Sequence, residues 1–341
     1  MSGTSSATRP LPAVLAVLAA TTAAASVCAL GIGAFPIPLE TVWDILLSAA
    51  TGDERGGTAM MQNVVMEVRL PRILAALLVG AALAVAGTAY QSIFRNPLVS
   101  PDLLGVSGGA CVGAAGAILL GAGLVAVQCA AFVGGIVAVT ATLAIPRIIK
   151  KESTIALVLS GVIVSGFCGS ILGLVKYVAD PEETLPTIVY WQMGSLTKVN
   201  FGTLAYIAPV ILAAIAVVLA MRWRINVLSL GDHEAKALGV NLRRERAAII
   251  VAATLLTASA VSLAGTIGWI GLVLPHLARF IVGPNTARSL PVACIMAAGF
   301  LVIVDTLARF SGTEIPLGIL TGFIGTPFFI VLLAKQRGTL L

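Results

Sequence analysis

The sequence predicts an all-α polytopic membrane protein of about ten transmembrane helices, with both termini in the cytoplasm. Three observations predict it: an apolar-rich composition, apolar runs of bilayer length, and a one-sided distribution of cations. Of 341 residues, 58% are apolar and 11% charged, where a soluble domain carries about 25% charged residues. The 21 Lys+Arg and 15 Asp+Glu side chains cannot clothe a water-facing globule of 34.8 kDa and mean hydropathy +1.03. A soluble enzyme and a nucleic-acid-binding domain are both excluded on that ground.

A helix needs about 20 apolar residues to cross a bilayer. Ten runs near that length are bounded by charges, prolines or polar clusters: 11–34, 68–91, 103–120, 122–146, 153–176, 203–221, 247–267, 268–282, 289–309 and 316–334. The first follows Arg9 and has no convincing small-x-small cleavage site, so it reads as a retained span rather than a signal peptide. Residues 1–10 are then a cytoplasmic tail, and 11–338 a single transmembrane domain. The eighth run is broken by Pro275, His276 and Arg279 and is expected to be a partial or tilted helix.

Starting from a cytoplasmic N-terminus, 15 of the 21 cations fall inside, and six (Arg55, Arg69, Arg72, Lys176, Lys198 and Arg309) fall outside. This is the positive-inside pattern. It explains the net charge of +6 as topology rather than as affinity for nucleic acid.

Three connections exceed simple turns. In the outer segment 35–67, Pro38 to Leu47 has apolar residues at helical spacing and reads as a short helix on the membrane surface. The outer segment 177–200 carries Tyr190 and Trp191, suited to the headgroup belt. The inner segment 222–246 is the most polar stretch. Within it Leu230 to Val240 predicts a short surface helix, capped by Asp232 and stopped at Gly239. Its alanines and glycines permit close docking in a groove of a cytosolic partner, although a solvated linker would read the same way.

The 35 glycines concentrate within the spans, as at Gly105, Gly108, Gly109, Gly113 and Gly116, and suit closely packed helices or the lining of a path for a bulky solute. The five cysteines are scattered through apolar stretches and there are two histidines, so neither a disulfide framework nor a metal centre is expected. No G-x-x-x-x-G-K-[ST], H-E-x-x-H or G-x-S-x-G motif stands in a suitable context, so no catalytic residues are assigned. Ionisable groups inside spans are few. Asp305 and Arg309, four apart, can pair on one helix face.

Several stretches resemble the iron-siderophore, haem and cobalamin permeases of type II ABC importers. The first block is Arg69-Leu70-Pro71-Arg72, Leu77 to Gly87, Gln91, Asn96-Pro97-Leu98 and Pro101 to Ala110. The second is Leu230 to Gly239, Gly265 to Arg279, Asp305 to Arg309 and Glu314 to Gly318. The resemblance runs from about residue 37 to 338, with the motifs in the family's order.

It implies the type II importer permease fold, a bacterial cytoplasmic-membrane location, and a non-catalytic transport subunit working as a homodimer. The implied partners are two cytosolic ATPase subunits, which would hold ATP and Mg, and an extracytoplasmic solute-binding protein; this chain would hold no cofactor. Leu230, Gly231, Asp232, Glu234, Ala235, Ala237, Leu238 and Gly239 match the element that couples to the ATPase. Arg69, Arg72 and Arg309 match outward-facing arginines that dock the binding protein, and Ser153 and Thr154 fall near the family's cytoplasmic gate. At the gate, Ile155 and Ala156 stand where relatives are often more polar. The expected cargo is an iron(III) chelate, with haem, cobalamin and molybdate as alternatives. An ion-coupled secondary transporter would instead need acids at mid-span.

Overall fold

The computed structural model describes residues 10–52, 56–150, 153–310 and 314–336. All but one residue of the tail assigned to 1–10 lies outside them. The described helices are α1 (Leu11–Gly31), α2 (Leu39–Thr51), α3 (Ala59–Asn63), a π-helical turn (Val64–Arg69), α4 (Leu70–Ile93), a 3-10 turn (Pro101–Leu104), α5 (Val106–Leu119), α6 (Leu124–Ile148), α7 (Thr154–Val178) and α8 (Thr184–Gln192). They continue with α9 (Phe201–Ala220), α10 (Arg222–Leu230), α11 (Asp232–Ala237), α12 (Leu242–Ala264), α13 (Ile270–Val282), α14 (Thr286–Ala308) and α15 (Leu317–Gln336).

Seven helical stretches are long and apolar enough to cross a membrane, and α5, α13 and α15 are shorter apolar helices. Together they occupy the ten predicted runs. The outer surface helix is present as α2 and the aromatic outer segment forms α8.

The bundle is organised around α4, which packs against α9, α12, α13 and α14. Its composition makes this possible. Lipid provides no hydrophobic drive for helices to associate, so the gain comes from van der Waals contact between closely approaching backbones. A Cβ on Gly80 would stand 2.3 Å from the Ala297 carbonyl oxygen, and one on Gly87 1.9 Å from that of Gly271. Either side chain would push apart two backbones. The same device joins α5 to α6, where a Cβ on either Gly109 or Gly134 would stand 2.3 Å from the other's carbonyl oxygen.

Two spans are too short for the bilayer. At 1.5 Å per residue the 14 residues of α5 rise about 21 Å and the 13 of α13 about 20 Å, against a hydrocarbon core of about 30 Å. Irregular backbone completes each crossing, and its polar groups are satisfied from within the protein, as a membrane requires. Before α5, the 3-10 turn is held by Thr142 Oγ1 donating to the Leu104 carbonyl at 2.9 Å, and it packs against Gly161 of α7. Before α13, Ser195 N donates to Ala264 O at 2.8 Å and Gln91 Nε2 donates to Gly271 O at 3.2 Å. Trp269 enters α13 at φ 70°, a left-handed conformation unusual for an aromatic residue. The α15 backbone closes over its ring at Gly325.

The inner polar segment differs from its sequence reading in two respects. It holds two helices, α10 and α11, broken at Gly231, whose φ of 145° suits glycine. Asp232 is not a helix cap: Gly231 takes that position and no side chain caps α11.

Candidate functional sites at the two membrane faces

On the cytoplasmic face, α10 and α11 are tied to the bundle at three points. Ala235 is buried, Asn226 Oδ1 accepts from the Thr286 backbone N–H at 2.9 Å, and Asp232 accepts from two α12 and α4-side arginines. Arg246 donates to it at 2.7 and 3.1 Å, and Arg95 at 3.3 Å. The Arg246 hydrogen bond is the main reason that the Asp232 carboxyl lies below the usual carboxylate range. The outward side is mixed: Trp223, Leu230 and Leu238 are exposed among the exposed polar residues Arg222, Arg224, His233, Glu234 and Lys236, with Ala237 and Gly239 beside them. Gly239, at φ 77°, turns the chain toward α12. The structure thus brings the eight predicted residues between Leu230 and Gly239 into one surface element, with Gly231 and Ala235 buried on its inner side and Leu230 and Leu238 exposed on its outer side.

At the outer ends of α4 and α14 the three predicted docking arginines come together, though not as outward-facing groups. Arg69, Arg72 and Arg309 are 4%, 3% and 7% exposed, and each serves this chain. Arg72 Nε donates to both Asp305 oxygens at 2.8 and 3.0 Å, and its Nη1 reaches Glu314 at 2.7 Å. Arg69 donates to the Leu30 carbonyl at 2.6 Å and to that of Phe35. Arg309 donates to the Ala29 carbonyl at 3.3 Å, and its Nε lies 3.2 Å from Asp305 as an ion pair without hydrogen-bonding geometry. The intrahelical Asp305–Arg309 pair is therefore present. Asp305 is shared with Arg72, 233 residues away, which local spacing could not reveal.

Three guanidinium groups face two carboxylates here. A buried charge without a partner is costly, so carbonyl oxygens at the end of α1 complete the set. The arrangement ties α1, α4, α14 and Glu314 together at the outer surface and leaves an excess of one positive charge.

The predicted gate residues are exposed at the start of α7, where Ser153 Oγ accepts from the Ala156 N–H at 3.1 Å as a cap. Beyond them α7 presents an unpartnered face. Gly166, Gly169 and Gly173 meet nothing within 4 Å, and Ile163, Phe167 and Tyr177 are exposed. Exposed Phe323, Ile330 and Val331 give α15 a similar face.

Asp102, within the first family block, stands in the 3-10 turn beside Leu103, whose carbonyl packs on Gly161 of α7 about 10 Å along from the start of that helix. Ser107 donates to its carboxylate. Pro97 and Pro101 ahead of Gly105 are the sequence signal for this turn. Among the described residues no three His, Cys, Asp or Glu side chains converge as a metal site.

The model of the FecCD transport family matches residues 21–335. The molybdate import system permease protein MolB of Haemophilus influenzae is 39% identical over 313 residues, 92% of each chain. The "Probable iron chelatin transport system permease protein" of Helicobacter pylori is 42% identical over 276 residues, 81% of this chain and 83% of that one. A solved structure of a metal-chelate type ABC transporter in an inward-facing conformation is 36% identical, covers 96% of this chain and all of its own, and superposes with a TM-score of 0.83. With the ten spans, both short crossings and the paired faces in place, this chain is a multi-pass membrane permease that belongs to the FecCD transport family of ABC transporters.

Proposed function

We propose that the chain is the permease subunit of an ATP-driven importer that carries an iron(III) chelate into the cytoplasm as a homodimer. The observation that carries this reading is the face of α7 on which Gly166, Gly169 and Gly173 stand open in succession, flanked by exposed apolar side chains, with a second exposed apolar face on α15. A second copy seated on those faces would enclose a path lined by glycine, Ser170 and aromatic edges, which grips a bulky chelate weakly rather than coordinating a bare ion. Ser153 and Thr154 would close that path at the cytoplasmic end.

Two cytosolic ATPases, which hold ATP and Mg, engage Leu230, Leu238 and the α11 surface. Their closure moves this element, and the motion passes through Asp232 to Arg246 of α12 and Arg95 beyond α4. The solute-binding protein docks on the outer face. Because Arg69, Arg72 and Arg309 are committed within the chain, its acidic groups act by exchange: they compete with Glu314 for Arg72 and draw on the excess positive charge of the cluster.

Molybdate is the second reading, favoured by 39% identity to MolB across 92% of this chain. Capture of the tagged chain from its native membrane, followed by metal analysis of the co-purified binding protein, separates the two. Iron with an organic chelator supports the first reading and molybdenum the second. A chain that comes down with neither an ATPase nor a binding protein overturns both.

A further inference from the structure

A cavity of about 360 Å³ lies at the cytoplasmic ends of α4, α6 and α12 and the start of α7. Its floor is apolar, formed by Leu143, Leu157, Ile250 and Val251, and its rim carries Arg147, Arg243 and Arg246. Ordinary positive-inside arginines stand apart in loops. These three converge on one concavity, and no acidic side chain lines it among the described residues. Arg246 shares Asp232 of α11 with Arg95, whereas Arg147 and Arg243 have no ion-pair partner among the described residues. The adjoining surface is lipid-like in its needs: Val251 is 56% exposed and Ile148 76% exposed.

We infer that this cavity binds an anionic phospholipid of the inner leaflet, with the phosphate among Arg147, Arg243 and Arg246 and an acyl chain along Leu143 and Val251. Charge complementarity and depth together select that occupant. A soluble anion would use the arginines and leave the apolar floor wet, while a zwitterionic lipid would fill the floor and leave the rim uncompensated. Ser153 and Thr154 line the same cavity. An occupied site therefore places a lipid against the α6–α7 junction. The inference depends on the cytoplasmic placement of these helix ends; the cavity shares Ser153 and Thr154 with the gate proposed above, but lipid retention, unlike uptake, is read on this chain without the partner subunits.

The test uses the full-length chain in detergent, offered equal phosphatidylglycerol and phosphatidylcholine, washed, and weighed intact by native mass spectrometry. The wild-type protein retains phosphatidylglycerol over phosphatidylcholine. The double substitution Arg147→Gln/Arg243→Gln lowers retained phosphatidylglycerol about thirtyfold, at roughly one surface-arginine contribution per position, and leaves phosphatidylcholine unchanged. Arg147→Lys/Arg243→Lys restores most of it. Equal retention of the two lipids by the wild type overturns the inference, as does undiminished phosphatidylglycerol in the glutamine variant. Displacement of phosphatidylglycerol by excess glycerol 3-phosphate overturns it too, because the site would then recognise a free phosphate alone. Should the glutamine variant fail to fold, thermal unfolding of the wild type decides: a rise in Tm with phosphatidylglycerol alone supports the site, and equal rises with both lipids sink it.

Discussion

The helices α4 and α7 have the same ingredients and opposite surroundings. Both are long, apolar and rich in small residues, yet 83% of the most apolar stretch of the α4 span is buried against 28% of that of α7. On α4 the glycines are contact points, with neighbouring carbonyls where a Cβ would stand. On α7 three glycines in succession along one face meet nothing. Composition therefore does not separate a helix at the centre of the bundle from one at its periphery; only the contacts do.

The sharpest way to break the α4 side is at its outer end. Asp305→Ala leaves Arg72 and Arg309 buried without their shared carboxylate, and a broken buried ion pair costs about 3–5 kcal/mol. The variant is expected to accumulate poorly in membranes and to unfold at lower temperature, both read on the detergent-purified protein. Next comes Gly87→Ala, whose single added methyl group meets the Gly271 backbone. Overpacking of that kind costs about 1–3 kcal/mol, visible as a lowered Tm.

On the α7 side the sign reverses. Gly169→Ala adds helix propensity at an open position and should stabilise the isolated chain by about 0.5–1 kcal/mol. A loss of stability there would show that the face is already packed. If the face is a subunit interface or a path, the bulkier Gly169→Phe folds normally and abolishes uptake by the reconstituted importer; full uptake would remove α7 from the proposed path.

The smallest stability effect is expected at Asp232→Asn. Partly exposed ion pairs are worth about 0–1 kcal/mol, so the fold should be unaffected. Stimulation of the partner ATPase by loaded binding protein should nonetheless fall, since the link from α11 to Arg246 is cut. Unchanged stimulation would mean that motion reaches the bundle by way of Ala235 and Asn226 instead.

What the sequence disclosed follows the range of the interactions involved. Span number and the helix at Pro38 to Leu47 rest on local hydropathy, and both are present in the structure. The Asp305–Arg309 pair, four residues apart, was equally legible. The outward-facing reading of Arg69, Arg72 and Arg309 follows from the family resemblance and not from local pattern; the groups that bury Arg69 and Arg72, namely the Leu30 and Phe35 carbonyls, Asp305 and Glu314, arrive from other helices and loops. Asp232 looked like a cap from local pattern alone, its real partners being Arg95 and Arg246.

The bond between Arg72 and Asp305 also sets an order of events during synthesis. The two residues are separated by 233 positions, and at roughly 5–20 residues per second the ribosome needs on the order of 10 to 50 seconds to pass from one to the other. Through that interval α4 is already inserted while the carboxylate that neutralises it does not yet exist, so Arg72 must stay hydrated at the outer border of the bilayer. The innermost helix of the finished bundle therefore cannot be fully drawn in until nearly the last span has been made, and a chain truncated before α14 is left with a cation that no other part of it was built to receive.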